Sequence, residues 1–408
     1  MKSIKKQHKI YLDYGASAFP NPSSIHELGI QARKKLENAR QNVADILGAR
    51  AEEVIFTSGG TESNNLAIQG VVLASQMQKN FSTPTPHIIT TNIEHPSVLE
   101  TYKLLEKRNF AEITIVPVEE NGIVDPKKIK KAIKKNTVLV SVMYANNEIG
   151  TIQPIREIAK EVRHYKKTRA KSLVPNTYPI FHTDAVQAVN YLDLNVEKLG
   201  VDMLSLSGSK IVDSGRIGIL YKKRSVSLAN IFGGGDQEGG LRPGTENLEA
   251  ILKFSNALSL VQKEKDKENK RLTNLRNYFF QQLNKISFSS GFPATQRQPF
   301  TKRNFIKLAI NGDLENRLPN NINITIPSIP SDLLVIELSA RGIMASSKSA
   351  CKSSRAEGSY VIEALSPKSD PEIGGLRFSL GKDAKKSDID YTIKSLTKIL
   401  QKLKKWYD

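Results

Sequence analysis

The sequence is poor in cysteine and has no long hydrophobic runs: Cys351 is the only cysteine in 408 residues. A single thiol excludes an internal disulfide framework and a metal site built from several cysteines. No stretch approaches the roughly 18 apolar residues that a membrane-spanning helix needs. Residues 1–9 are basic and lead into no apolar signal-peptide core. These absences predict a cytoplasmic protein that does not contact a membrane and holds no metal.

Acidic residues are scarce relative to basic ones, 41 against 60, which gives a formal net charge of +19. Such an excess can indicate a nucleic-acid partner. The lysines are nevertheless spread over residues 127–135, 166–171, 263–270 and 402–405, and they do not alternate with aromatic residues as in a single-strand binder. We therefore expect no nucleic-acid partner. A generally basic surface suits acidic protein partners and anionic cofactors.

Helical and strand patterns alternate from residue 24 to about residue 221. The strand-like runs are rich in β-branched residues and apolar on both faces, which is typical of a buried, mostly parallel sheet. The pattern predicts an α/β fold in which a large domain with a seven-stranded sheet accompanies a smaller α+β domain. The predicted strands of the large sheet are 54–57, 87–91, 113–118, 137–143, 179–182, 203–206 and 217–221.

The pattern changes after Gly235, where a long charged helical stretch leads into strand-like segments at 322–326 and 376–380. A chain of this length is expected to form more than one domain. We predict an N-terminal segment over residues 1–20 on the side of the small domain and a large domain over 21–255. The small C-terminal domain then covers 256–408 and carries Cys351.

Four groups of residues fall where a parallel sheet binds ligands, at the carboxyl ends of its strands. The strand at 54–57 ends in the glycine turn 58–65, whose backbone N–H groups at a helix start favour a phosphate. Asp184 follows another buried strand and fits either a helix N-cap or a cationic ring nitrogen. Lys210 follows a third, where a buried lysine forms Schiff bases. A second glycine-rich turn spans 233–245. Each is weak alone, but the combination predicts a phosphate-bearing cofactor bound to a lysine.

The sequence resembles the NifS/IscS family of cysteine desulfurases, within the class V aminotransferase group of fold-type I pyridoxal-phosphate enzymes. The similarity runs almost end to end, from residues 11–13 to 389–391. Its most specific motifs are residues 58–65 (Ser-Gly-Gly-Thr-Glu-Ser-Asn-Asn), 146–150 (Asn-Asn-Glu-Ile-Gly), 182–187 (His-Thr-Asp-Ala-Val-Gln), 317–321 (Arg-Leu-Pro-Asn-Asn) and 349–351 (Ser-Ala-Cys).

The resemblance implies a pyridoxal 5'-phosphate cofactor and a role for each matching residue. Lys210 would form the Schiff base and move the substrate α-proton, Asp184 would pair with the pyridinium nitrogen, and His95 would stack on the ring. Asn147 would bind the substrate together with Arg377, which would clamp its carboxylate. The other implied cofactor contacts are Gly60, Thr61, Asn147, Gln187, Ser207, Ser209 and, from the second subunit of a homodimer, Thr245.

Cys351 would attack the sulfur of the substrate L-cysteine, which would leave a persulfide on the enzyme and release L-alanine. Residues 346–355 around it are small, polar and basic, and such surroundings favour a thiolate. The family passes its sulfur to iron–sulfur scaffold proteins or tRNA-thiolation proteins. Other reactions on the same scaffold, a selenocysteine lyase or an aminotransferase, and a catalytically silent scaffold remain alternatives. Two departures from the family lie near the cofactor: Ser209 replaces the usual histidine, and residues 213–216 replace Gly-Pro-Lys-Gly.

Overall fold

The computed structural model describes residues 10–77, 85–169, 178–289, 308–326, 329–347, 359–366 and 374–407. This part of the chain folds around two sheets, one of seven strands and one of three. The strands of the large sheet are β1 (Val54–Thr57), β2 (His87–Thr91), β3 (Glu112–Val116), β4 (Thr137–Ser141), β5 (Ile180–Asp184), β6 (Met203–Ser207) and β7 (Gly218–Lys222).

The large sheet has the strand order β1-β7-β6-β5-β4-β2-β3. All neighbouring strands are parallel except β7, which is antiparallel to both β1 and β6. Strands β1, β2, β4, β5 and β6 are buried at every position, because helices cover both faces of the sheet. Strand β3 lies at the edge, and its first residue, Glu112, is exposed. Continuous apolar runs in the sequence thus correspond to the strands that are buried at every position.

Helices connect the strands and pack on the large sheet. The first of them ends at Gly48, whose φ of 65° is the left-handed conformation that glycine adopts readily. A Cβ there would also lie 2.3 Å from Nδ2 of Asn195, so a larger residue would not fit. These helices are α1 (Glu27–Leu47), α2 (Gly60–Met77), α3 (Pro96–Lys107), α4 (Pro126–Ala132), α5 (Ile155–Arg169) and α6 (Val196–Leu199).

A long helix, α7 (Leu248–Ser289), connects the two sheets. Near its start, Phe254 and Leu258 pack in the core beside the large sheet, and near its end Phe279 and Leu283 pack in the core of the small sheet. The small sheet is antiparallel, in the order β10-β9-β8. Its elements and the remaining helices are β8 (Ala309–Ile310), β9 (Asn321–Thr325), α8 (Ser331–Ser339), α9 (Tyr360–Leu365), β10 (Leu376–Ser379) and α10 (Lys386–Tyr407).

The predicted α/β architecture is confirmed. Each predicted strand of the large sheet is present, with ends displaced by no more than two residues. The two-residue strand β8 was not predicted, because so short a run has no detectable alternation. The predicted boundary at residue 255 lies inside α7, and α9 packs with the large core although it follows the small sheet in the chain. The division at that boundary remains a proposal. Within the described ranges, no helix is long and apolar enough to cross a membrane.

Candidate active site

The predicted site residues meet at the carboxyl edge of the large sheet. All but Arg377 of those found there lie at the ends of β1, β2, β4, β5 and β6 or in the segments that follow them. These strands run in the same direction, so their ends lie along one edge. A cavity of about 450 Å³ opens there. Ten predicted site residues line it: Gly60, Thr61, His95, Asn147, Asp184, Gln187, Ser207, Ser209, Lys210 and Arg377.

The turn after β1 places the first residues of α2 against the loop after β5. A Cβ on Gly60 would lie 2.7 Å from Cγ2 of Val186, so only glycine allows this approach. The next residue, Thr61, is exposed and lies in the first turn of the helix. The first N–H groups of a helix have no partner within the helix and favour an anion. Glu62 holds the turn, because its carboxylate accepts hydrogen bonds from the Ser58 backbone N–H at 2.8 Å and from Nε of Arg242 at 2.9 Å.

Asp184 ends the buried strand β5, and its side chain is fixed on both oxygens. Oδ1 accepts a hydrogen bond of 3.0 Å from the backbone N–H of Val186. Oδ2 accepts one of 2.7 Å from Nδ2 of Asn64, a buried residue on α2. The carboxylate is therefore a local cap of the turn and also a charge directed into the cavity. The helix N-cap interpretation is wrong, because a turn and not a helix follows Asp184, and its pairing with a ring nitrogen stays a prediction.

His95 is the N-cap of α3, and its ring orientation is determined locally. Nδ1 accepts a hydrogen bond of 3.1 Å from the backbone N–H of Ser97 and lies 2.8 Å from the Ser97 hydroxyl. A proton on the ring must then be on Nε2. Burial lowers the pKa of His95, helped by the positive charge of Lys210 and opposed by Asp184. The ring is accordingly neutral near pH 7.

Lys210 ends a one-turn 3-10 helix, Gly208–Lys210, that directly follows β6. Its side chain is exposed, whereas the sequence suggested a buried lysine; the strand is buried, and the chain leaves the core in the turn. The hydroxyls of Ser207 and Ser209 lie 2.9 Å apart in a hydrogen bond. Ser207 and Ser209 thus place two paired hydroxyl groups next to Lys210. The hydroxyl of Ser209 does not titrate near neutrality, as the histidine usual in the family would.

Arg377 extends the site onto the small sheet. It lies on β10, where its backbone pairs with Ser346 through hydrogen bonds of 2.7 and 3.1 Å. Its Nη1 donates a hydrogen bond of 2.9 Å to the carbonyl of Asn147. Burial lowers the pKa of Arg377 against the opposing charge of Glu148, and the guanidinium remains a cation. Ser379, two residues further along the strand, lines the same cavity, as the alternation of a strand requires.

Two predicted site residues are not in this cavity. Thr245 is exposed and lines a second cavity of about 640 Å³, together with Phe19 and Lys35. Its predicted contact belongs to a second subunit, so it stays a prediction. Cys351 lies outside the described residues, and its predicted role also stays a prediction.

Four asparagines line the cavity: Asn147, which the resemblance implied as a cofactor and substrate contact, and Asn64, Asn190 and Asn320, which were given no role. Each has a buried side-chain oxygen without a hydrogen-bond partner in the described residues. Unpaired buried acceptors are uncommon and indicate a place for donors from a bound molecule. Asn64 could have been found from the sequence, since it lies four residues after Gly60 and hence on the same helix face. Asn320 could not, because only the packing of the small sheet brings it to the site.

Known families, proteins and structures resemble this chain over most of its length. The Aminotransferase class-V model matches residues 2–392. Cysteine desulfurase IscS of Dictyoglomus turgidum is 39% identical over 415 residues, which are 98% of this chain and 96% of that protein. The chain belongs to the class-V aminotransferases, among the IscS cysteine desulfurases. A NifS-like protein superposes with a TM-score of 0.78 at 32% identity, covering 94% of this chain and 92% of its own. The structure of SspA in complex with cysteine gives a TM-score of 0.69 at 29% identity, covering 89% and 91% of the two chains.

The cofactor of class-V aminotransferases, pyridoxal phosphate, is also the cofactor of this chain, and the residues present fit it. A helix N-terminus and the Ser207–Ser209 hydroxyl pair suit a phosphate. The buried Asp184 carboxylate suits a protonated ring nitrogen, and Lys210 has an amine that would suit a Schiff base. The unpaired asparagine oxygens supply acceptors around the same cavity. Ser209, which stands where the family usually has a histidine, contributes a hydroxyl group to this arrangement.

Proposed function

We propose that this protein removes sulfur from L-cysteine, releases L-alanine and holds the sulfur as a persulfide on Cys351. One observation carries the proposal: Lys210, Asp184 and Arg377, from three different parts of the chain, line one cavity. An amine, an acceptor for a cationic ring and a carboxylate ligand are what an amino-acid reaction on pyridoxal phosphate needs. Class-V relatives named as cysteine desulfurases support cysteine as the amino acid.

We assign the phosphate end of the cofactor to the start of α2 and the turn after β6. Gly60 and Thr61 would contribute N–H groups and a hydroxyl, and Ser207 with Ser209 would contribute two further hydroxyls. Gln187, which lines the same cavity after β5, would donate a hydrogen bond to the phenolic oxygen. These groups bind and orient the cofactor and exclude water from its phosphate.

We assign the ring to Asp184 and His95. The carboxylate of Asp184 would hold a proton on the ring nitrogen, and Asn64 keeps that carboxylate in position. The ring of His95 is neutral and is held in place because it caps the start of α3, and it offers a flat face for stacking. The bound cofactor then supplies an electron sink for the bonds at the substrate α-carbon. The fixed, buried carboxylate of Asp184 is the group of this chain that would keep the ring nitrogen protonated.

We assign proton movement to Lys210 and substrate binding to Arg377 and Asn147. The amine of Lys210 would take the α-proton and return it to the product, as a general acid and base. Arg377 would bind the substrate carboxylate through its guanidinium fork, and it is oriented by its bond to the Asn147 carbonyl. The thiolate of Cys351 would attack the substrate sulfur; a sulfur–sulfur bond forms as the carbon–sulfur bond breaks, and the carbon that keeps the electrons is protonated to give alanine.

The proposal is tested by incubating the purified protein, saturated with pyridoxal phosphate, with L-cysteine. We expect alanine in the solution and a mass increase of one sulfur atom on Cys351. Cys351→Ser should bind the cofactor normally but lose persulfide formation, whereas a transamination reaction should survive the change, which separates a desulfurase from another reaction on the same scaffold. Lys210→Ala should stop both products. Alanine without any persulfide on the wild-type thiol would contradict the proposed sulfur transfer.

We further propose that two copies of the chain form the working enzyme, with Thr245 completing the partner's phosphate site. Large apolar side chains are exposed near the start of the chain, including Leu12 at 89%, Phe19 at 76% and Ile25 at 90%. Phe19 shares a cavity with the exposed Thr245. Patches of this kind mark contact surfaces. Light scattering should give the mass of a dimer, and Phe19→Asp should give a monomer with weakened cofactor binding.

The sulfur acceptor is proposed to be an iron–sulfur scaffold protein or a tRNA-thiolation protein, in the cytoplasm. The formal charge of +19 suits an acidic protein acceptor. A lone thiol that must cycle through a persulfide requires a compartment that keeps thiols reduced. Transfer of labelled sulfur from the persulfide to each kind of acceptor distinguishes the two.

A further inference from the structure

Asn190 contacts the active lysine, although the motifs of the sequence gave it no role. It follows β5 by six residues, and its Nδ2 donates a hydrogen bond of 2.6 Å to the backbone carbonyl of Lys210. This bond joins the loop after β5 to the Gly208–Lys210 turn after β6. Because Nδ2 must be the atom that faces the carbonyl, the orientation of the amide is determined, and Oδ1 faces away from it.

Oδ1 of Asn190 is buried and has no hydrogen-bond partner within the described residues. A buried acceptor left unpaired destabilises the folded protein, so we expect this atom to accept a hydrogen bond when the site is at work. Asn190 and Lys210 both line the cavity of about 450 Å³. The titratable or charged residues of its lining are His95, Asp184, Tyr191, Lys210 and Arg377.

Lys210 is the donor in this lining that remains for Oδ1. Burial raises the pKa of Tyr191, which lines the same cavity, and hydrogen bonds from the side chains of Asn190 and Asn320 oppose that rise. Only amide N–H groups favour a phenolate, so the Tyr191 hydroxyl faces Nδ2 of Asn190 and not Oδ1.

His95 is held through its Nδ1 by Ser97, and Arg377 donates to the carbonyl of Asn147. Lys210 is already tied to Asn190 through its backbone, and its side chain is flexible enough to bring Nζ back to the same amide. An amine that moves a proton needs an acceptor that orients it when the cofactor is not attached to it.

We propose that Asn190 is a positioning residue for Lys210: its Nδ2 fixes the backbone of the lysine, and its Oδ1 accepts a hydrogen bond from Nζ. The two bonds from one amide orient the amine towards the substrate α-carbon. The inference rests on the proposed role of Lys210 and is independent of Cys351. It deepens the proposed function by identifying what holds the proton-transferring group in place.

The first test measures whether the side chain at position 190 lies close to Nζ. In a Cys351→Ser background, the visible absorbance of bound pyridoxal phosphate is titrated with pH for the parent and for Asn190→Asp. A carboxylate near Nζ favours its protonated form, so we expect the midpoint to rise by about one pH unit or more. The matched control is Asn136→Asp, because Asn136 Nδ2 also donates to a backbone carbonyl, that of Thr85 at 2.9 Å, but at the amino end of β4. Equal midpoints for the parent and Asn190→Asp would overturn the proposal.

The second test follows proton movement itself. Exchange of the α-proton of alanine with deuterium oxide requires Lys210 but no thiol, and it is measured by NMR. Asn190→Ala should slow this exchange about tenfold to a hundredfold, as expected for a displaced catalytic group. Asn136→Ala should leave it unchanged. An unchanged rate in Asn190→Ala overturns the proposal; if that variant fails to fold, the titration of Asn190→Asp decides.

The two proposals fail in different ways. If alanine exchange depends on Asn190 but no persulfide forms on Cys351, the desulfurase proposal is wrong and the role of Asn190 stands. If a persulfide forms normally while neither test responds to Asn190, the desulfurase proposal stands and the positioning role is wrong.

Discussion

Nδ2 of Asn64 donates a hydrogen bond of 2.7 Å to Oδ2 of Asp184, and the same amide donates one of 2.9 Å to the Ser97 hydroxyl. Ser97 in turn contacts Nδ1 of His95. One buried amide therefore links the carboxylate assigned to the ring nitrogen with the imidazole assigned to the ring face. The ring site is a connected network that couples α2, β5 and α3.

Replacing Asn64 by leucine should weaken cofactor binding. The change removes a hydrogen bond to a charged group, which contributes about 1.5–3 kcal/mol, so the dissociation constant of pyridoxal phosphate should rise tenfold or more. Absorbance titration of the apoprotein with cofactor measures it. The control is Asn42→Leu, which removes an amide that bonds to Ser255 and Ser259, residues that do not line the cavity. An unchanged affinity in Asn64→Leu would show that Asp184 needs no support.

Glu94 should make the protein less stable as the pH rises. Its side chain is fully buried; burial raises its pKa to about 8, helped by the charge of Asp184, against hydrogen bonds from Thr91 and Met143. The folded protein thus binds a proton between about pH 4.5 and 8 that the unfolded chain releases, and stability falls across that window by up to about 1.4 kcal/mol per pH unit.

Replacing Glu94 by glutamine, which resembles the protonated acid, should remove this part of the pH dependence. Thermal unfolding of the apoprotein at pH 5.5 and at pH 8 measures it: the midpoint of the wild type should fall more between the two than that of Glu94→Gln. Glu112→Gln, at an exposed position on β3, is the control and should follow the wild type. Parallel behaviour of Glu94→Gln and the wild type would mean that Glu94 is ionised in the fold.

Glu238 should be required for stability, because it neutralises a buried arginine. Arg40 donates hydrogen bonds of 2.6 and 2.9 Å to its two oxygens, and the backbone N–H of Phe56 donates another of 2.9 Å. The side chains of Arg40 and Glu238 are only 10% and 2% exposed. Glu238→Ala leaves the buried arginine charge without its buried partner, which costs about 3–5 kcal/mol.

The midpoint of denaturant unfolding measures this loss of stability, and a second acidic residue beside Arg40 provides the control. Glu37 also contacts Arg40, at 3.4 Å, but its side chain is 54% exposed. Glu37→Ala should change stability by less than about 1 kcal/mol, because solvent screens an exposed pair. Similar losses in the two variants would contradict the assignment of Glu238 as the principal partner.

The sequence predicted the strands of the large sheet because most of them are buried on both faces and therefore read as apolar runs. It predicted Gly60, Asp184 and Lys210 because a parallel sheet aligns the ends of its strands, so residues distant in sequence meet without further information. It did not predict Asn190 or Asn320. Their contacts depend on how one loop packs on another and on how the small sheet meets the large one, and neither leaves a periodic signal.

The resemblance implied a role for Arg377, but strand-end alignment could not predict where it lies. Its position depends on the pairing with Ser346, and its orientation depends on the carbonyl of Asn147. Arg377→Lys keeps the positive charge but replaces a planar fork by a point charge, which loses bidentate recognition of a carboxylate. We expect KM for cysteine to rise about tenfold or more with a smaller change in kcat, because the lost contact binds the substrate before and during the reaction.

Steady-state alanine release measures both constants. The control is Arg341→Lys, at an arginine that follows α8, pairs with Glu337 at 2.8 Å and does not line the cavity. Affinity for pyridoxal phosphate should stay within about threefold in both variants, since neither arginine is assigned to the cofactor. A loss confined to kcat in Arg377→Lys would instead place Arg377 at the bond-breaking step, because only an interaction made in the transition state alone lowers kcat without changing KM.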